Sequence, residues 1–164
     1  MTKHSSSPYS QLGTGFSEHN DCAVRAAATA GNLPYEKVRA VFAKHGRKPR
    51  GLTYLPTSVA AHRELFQAER VTVAGNLSLA EFTRRYPTGR FIIDVRRHAL
   101  AVIDGVIHDW SPKPRRQVIR YWKLPERAEP VIAADRDAKL KLIELYEAQN
   151  ALLRKKINLT ISIQ

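Results

Sequence analysis

The sequence predicts an α+β fold in which N-terminal helices pack on an antiparallel β-sheet and a long helix follows at the C-terminus. Three observations carry this. Apolar residues recur at helical spacing from residue 20 to 89. From Arg90 they gather into short β-branched or aromatic runs divided by turn residues. Beyond a proline-punctuated link a 3-4 spacing returns. With 164 residues the chain can bury one core without a disulfide or a structural metal. Residues 1–15 read as a flexible N-terminal arm, 16–124 as the α+β domain, and 125–164 as a helical extension closing in a final strand.

The arm, "MTKHSSSPYSQLGTG", is polar and aperiodic. The first helix follows, with Asn20 or Asp21 as its cap, an alanine-rich body from Ala23 to Ala30, and Gly31 as terminator. So many alanines suggest a central helix that neighbouring backbones approach closely. "LPYEKVRAVFAKHG" repeats the grammar: Pro34 stands near the first helical position, Val38, Val41 and Phe42 share a face, and Gly46 ends the run. A third helix is expected in "TSVAAHRELFQ". A fourth follows in "NLSLAEFTRRYPTG", where Ser78 and Glu81 form a capping box and Pro87 and Gly89 stop the helix.

The runs "RFIIDV", "HALAVI", "VIHDW" and "QVIRYW" read as strands, with Asp104-Gly105 as a two-residue hairpin turn between the second and third. From 135 to 157, Ile143, Tyr146, Asn150, Leu153 and Ile157 follow the spacing of one long helix. It would pack on the domain or pair with a second copy, an Asn at a seam position being a register device. The closing "INLTISIQ" alternates as a strand does.

The chain carries 27 Lys and Arg against 15 Asp and Glu, a net charge of +12, gathered in "KHGRKPR", "RRYPTGR", Arg96-Arg97, "KPRR" and "RKK". Such a field attracts nucleic acid or another polyanion, or simply keeps the surface solvated. No nucleic-acid-binding motif accompanies it. The first thirty residues hold no apolar run of the kind a secretory signal or a membrane span requires, and a single cysteine forms no internal disulfide. The expectation is a cytoplasmic protein with no membrane partner.

That cysteine, Cys22, heads the alanine-rich helix in "EHNDCAVRAAATAG". Free cysteines commonly pack as small hydrophobes. A nucleophilic one needs a base within hydrogen-bond reach and a third group to orient the base. The hairpin "HALAVIDGVIHDW" offers both. With Asp104 and Gly105 at the turn, Ile103 pairs with Val106, Val102 with Ile107 and Ala101 with His108. His98 and Asp109 then lie diagonally on one face, within reach of each other, and His108 points to the other. His4 and His19 belong in or near the arm. His45 and His62 sit in helices without an obvious carboxylate, which leaves His98 as the base. A helix N-terminus suits a thiolate, whereas Asp21 disfavours one unless its side chain caps the helix or pairs with a basic residue.

The order Cys22 at the head of a helix, His98 opening a strand and Asp109 on the next strand resembles the papain-like cysteine peptidase superfamily. More narrowly, "NDCAVRAAATAG" with "GRFIIDVRRHALAVIDGVIHDW" is similar to compact bacteriophage-encoded peptidase-like proteins related to bacteriocin-processing cysteine peptidases. The resemblance spans Cys22 to Asp109. It implies a nucleophile helix packed on an antiparallel sheet, with Cys22 as nucleophile, His98 as general base and acid, and Asp109 as orienting residue. The substrate would be a peptide or protein, no cofactor would be needed, and the location would be host cytoplasm or virion.

Such enzymes commonly carry an oxyanion-hole glutamine shortly before the cysteine, where this chain has Phe16. The backbone N–H of Cys22 is then one donor; Asn20 is the candidate for the second, with Gln11 as the alternative. Cell-wall endopeptidases with a "DCSG" helix start are also similar at Asp21-Cys22, although Ala23-Val24 replaces the Ser-Gly. No paired Cys or His spacing supports a zinc site. A second expectation keeps the fold without catalysis, as a basic binding or virion-associated protein. A third is self-association through residues 135–157.

Overall fold

The computed structural model describes residues 3–5 and 17–125. The expected helix over 135–157, the final strand, Gln11 and Phe16 lie outside the described residues. Helices α1 (Cys22–Gly31), α2 (Tyr35–Lys44), α3 (Leu55–Phe66) and α4 (Leu79–Arg85) accompany strands β1 (His4–Ser5), β2 (Arg70–Thr72), β3 (Arg90–Val95), β4 (His98–Ile103), β5 (Val106–His108) and β6 (Val118–Lys123). The strands form one sheet in the order β1-β5-β4-β3-β6-β2. Among the described residues this is an α+β fold of four helices and a six-stranded sheet. None of these helices is long and apolar enough to cross a membrane.

The sheet is mixed, where an antiparallel one was expected. β1 runs parallel to β5, His4 opposite Ile107 and Ser5 opposite His108, while every other neighbouring pair is antiparallel. A two-residue strand made by a segment far from its partner has no periodicity to announce it. The β4–β5 hairpin has the anticipated register, Ile103 opposite Val106 and Ala101 opposite His108, turning on Asp104 and Gly105 at positive φ.

Alternation along the central strands divides the interior in two. Ile92, Ala99, Ala101 and Trp122 pack with α1, α2 and α3. Phe91, Ile93, Leu100, Val102 and Ile107 pack with Leu79 and Phe82 of α4. Helix α1 is buried nearly all round: Ala23, Val24, Ala26, Ala27, Ala28 and Ala30 are each at most 6 % exposed. Alanine on the helix meets alanine on β4, so the two backbones lie close.

Gly31 does not end α1 as expected. Asn32 takes the left-handed cap at φ 49°, and the Leu33 N–H reaches Ala28 O at 3.0 Å. A Cβ on Gly31 would stand 2.4 Å from Cε1 of Phe66, so this glycine makes room for the end of α3. Elsewhere the anticipated signals operate. Gly46, at φ 94°, lets the Arg47 N–H reach Phe42 O at 3.0 Å, and Ser78 Oγ accepts the Glu81 N–H at 3.2 Å.

His62 of α3 is 1 % exposed, its ring edge-on to Trp122 at 4.5 Å and to Phe42 at 5.6 Å. Neither ring nitrogen has a hydrogen-bond partner among the described residues, and burial pushes its pKa from 6.5 down to about 3. Between those values the unfolded chain binds a proton that the folded one refuses, so stability falls as pH drops through that window. Asp94, raised by burial to about 6, works in the opposite sense over part of the range. Comparing His62→Leu with the parent by urea denaturation isolates the histidine. The variant's stability relative to the parent should grow by about 1.4 kcal/mol for each pH unit below 6.5. Parallel curves from pH 6.5 to 4.5 would refute this account.

Candidate active site

Cys22 is the first residue of α1 and is partly buried. The five residues before it are fastened to α2 and the loop behind it through Glu18. Its carboxylate accepts from Arg39 Nε at 2.7 Å, from Arg47 Nη2 at 3.0 Å and from the Arg50 N–H at 2.9 Å. Burial would raise Glu18; these bonds outweigh it and hold the carboxyl at about 2. Arg47, only 5 % exposed, also donates to His19 O at 3.2 Å, and Arg50 Nε donates to Ser17 O at 2.9 Å.

Asp21 occupies the N-cap position, but neither it nor Asn20 caps α1 with its side chain. Asp21 is 3 % exposed, and its Oδ2 accepts from Arg25 Nε at 2.9 Å and from Tyr35 Oη at 2.8 Å. The negative charge beside the cysteine is therefore paired with a cation one helical turn further on. Burial and the bond to Asp21 push the Tyr35 hydroxyl up, so it remains a donor.

Asn20, exposed and at φ 55°, donates its side-chain amide to Arg50 O at 3.2 Å. This is where the structure puts the residue considered above as an oxyanion donor.

His98 opens β4 opposite Val95, with its side chain 9 % exposed. Its Nε2–H donates to Oδ1 of Asp109 at 2.9 Å, Asp109 being fully buried. The same ring is hydrogen-bonded to Cys22, for which Nδ1 is the nitrogen left. Burial lowers the pKa of His98. The bonds to Asp109 and Cys22, with the attraction of their charges, outweigh it and raise the pKa from 6.5 to about 9. Cysteine, imidazole and carboxylate thus form one hydrogen-bonded line across α1, β4 and the end of β5.

Two features around this line escaped the sequence reading. The Trp110 ring lies 5.1 Å from that of His98, and the Arg25 guanidinium is 5.7 Å from the Trp110 centroid, so one arginine touches both Asp21 and the indole. Arg25 at four residues from Asp21 was the available signal for the first contact. The second feature is Ser5, whose carbonyl accepts the Asp109 N–H at 3.2 Å; β1 therefore fixes the backbone that carries the carboxylate.

Of the other histidines, His62 is in the core and His4 lies in β1. His45 does have a carboxylate partner, contrary to expectation: Glu64 of α3 is 2.8 Å from its Nε2. Nineteen residues separate them, and only helix packing brings them together. Among the described residues no group of three or more His, Cys, Asp or Glu is placed to hold a metal ion.

Comparison with family models, curated proteins and solved structures finds no match for this chain.

The geometry of the site makes Asp109→Asn informative. The near-isosteric amide keeps the packing but removes the negative charge, while the burial of His98 remains. In an NMR titration the His98 ring should fall clearly below about 9, with Cys22 left as its remaining partner. The linkage sign follows: a raised histidine stabilises the fold below pH 6.5 and loses that contribution as pH rises to about 9. The variant should show a smaller alkaline decline, and an unmoved His98 titration would show that Asp109 does not control the ring.

Proposed function

We propose that this protein is a papain-like cysteine hydrolase that cleaves a peptide, isopeptide or related amide. The observation that carries the reading is the hydrogen-bonded line Cys22–His98–Asp109 at the head of the buried helix α1. An imidazolium facing a thiol at a helix N-terminus favours the thiolate. The Cys22 sulfur attacks the amide carbon, and His98 gives its proton to the departing amine. Water, deprotonated by His98, then cleaves the thioester and releases the acid. Asp109 holds the ring so that Nδ1 keeps facing the sulfur in both half-reactions.

The tetrahedral intermediates need donors for the oxyanion. The backbone N–H of Cys22, at the first turn of α1, supplies one. Asn20 supplies the second in this reading if its amide leaves Arg50 O, and Gln11 is the other candidate. A second reading retains the fold without turnover, as a basic binding or virion-associated protein contacting nucleic acid or an acidic partner. The amide of Asn20 held on Arg50 and the net charge of +12 favour it.

Labelling with an iodoacetamide fluorophore and hydrolysis of a quenched peptide library separate the two. The parent should label at Cys22 and turn over substrate; Cys22→Ala should do neither, with hydrolysis lowered roughly a thousand-fold or more. Asn20→Ala should cost about 100- to 1000-fold in turnover without preventing labelling, if its amide is the donor. Equal hydrolysis by parent and Cys22→Ala would exclude the enzyme.

A further inference from the structure

The two turns that end β4 differ in the residues that make them. At the end away from His98, Asp104 and Gly105 take positive φ, the chemistry a two-residue hairpin turn favours. At the other end, between Val95 and His98, the two turn residues are Arg96 and Arg97, with Arg97 at φ 58°. Arginine is a poor occupant of a left-handed position, which Gly or Asn fills with less strain.

Both arginines are exposed, and neither forms an ion pair among the described residues. The nearby carboxylates are already engaged: Asp21 with Arg25, Asp94 with Arg120 at 3.5 Å, and Asp109 with His98. Arg97 is bonded directly to the residue that faces Cys22, so the backbone of this turn adjoins the site and carries two exposed guanidinium groups beside it in sequence. The half-exposed Trp110 lies beside the same histidine.

We infer that the Arg96–Arg97 turn binds side-chain carboxylates of the substrate, so that the amide cleaved at Cys22 lies in an acidic peptide segment. The inference rests on the cysteine-hydrolase reading and supplies its substrate class. Guanidinium groups pair with carboxylates through two parallel hydrogen bonds, and a two-residue turn presents two such forks over a short span. Two forks would engage one or two acidic residues of the segment that holds the cleaved amide. A nucleic acid would use a longer cationic track and offers no backbone amide to cut.

The test measures binding on full-length Cys22→Ala, which holds substrate without turning it over. Fluorescein-labelled dodecapeptides rich in Glu, in Ser and Gly, or in Lys are titrated by anisotropy at fixed salt, alongside a dodecamer of oligo-dT. The Glu peptide should bind about tenfold tighter than the Ser/Gly peptide. Arg96→Ala with Arg97→Gly on the same background should abolish that advantage and leave Ser/Gly binding unchanged. Arg97→Gly alone should raise the melting temperature, which shows that weaker binding does not come from unfolding.

Equal affinity for the Glu and Ser/Gly peptides, or an advantage that survives the double variant, overturns the inference. So does oligo-dT binding tighter than the Glu peptide in a manner that depends on these arginines. Failure of the hydrolase reading shows separately, as absent turnover by the parent chain.

Discussion

The candidate site depends on how closely α1 lies on the sheet. Cys22 is held by the first turn of that helix and His98 by the start of β4, so the helix-to-strand distance sets whether sulfur and imidazole meet. Alanines fix it from both sides: Ala23, Ala26, Ala27 and Ala30 on α1, Ala99 and Ala101 on β4. A larger side chain at any of these contacts would lift the helix or strain the strand, because a core at crystal-like density does not absorb added methylenes freely. Alanines contribute little apolar area each. The cohesion comes from larger groups around them, with Phe42, Trp122 and the ring of His62 on one side of the sheet, and Phe82, Phe91 and Leu100 on the other.

Charge follows the same economy. The +12 of the sequence reads at first as surface, yet several of the arginines are engaged in ion pairs, and of these Arg47 is buried. Arg39 and Arg47 lock Glu18, Arg25 holds Asp21, and Arg120 faces Asp94. Each of these carboxylates lies close to the cysteine in sequence or to His98 in space, and each has a cation of its own. What remains directed at His98 and Cys22 is Asp109, buried and reached through the imidazole. The Asp immediately before the cysteine is therefore engaged elsewhere. Its carboxylate is drawn away from the helix N-terminus by Arg25 and Tyr35, and the backbone N–H groups of the first turn are left to the site.

What was legible in the sequence was local. The alanine-rich helix, the Ser78–Glu81 cap and the β4–β5 register were legible because each is written within a dozen residues by periodicity or turn chemistry. The diagonal placement of His98 and Asp109 followed from the Asp104-Gly105 turn alone. Contacts between distant segments were not legible. β2 is three residues long with every side chain exposed, so no alternation marks it. Asn32 takes the left-handed cap expected at Gly31, and Gly31 instead lies against Phe66, thirty-five positions on. His45 finds Glu64, and Arg25 finds Trp110, only once helices and loops have docked.

The same distinction bears on how the site is assembled. Its parts come from four separated stretches: β1 near the N-terminus, the head of α1, the start of β4 and the residue after β5. The hairpin that sets His98 against Asp109 is local and closes a short loop, whereas bringing Cys22 to it closes one of seventy-six residues. The β1 contact is more distant still, since Ser5 reaches Asp109 across the whole helical region. Loop closure grows costlier with length, so long-range pairings form only when other contacts already hold the chain. The histidine–carboxylate pair can thus be built into the sheet early. Cys22 meets the pair only where α1 docks on the sheet, and β1 lies at the edge beside Asp109. A thiol brought to its partners by the packing of its own helix does not meet them before the core that buries them has formed.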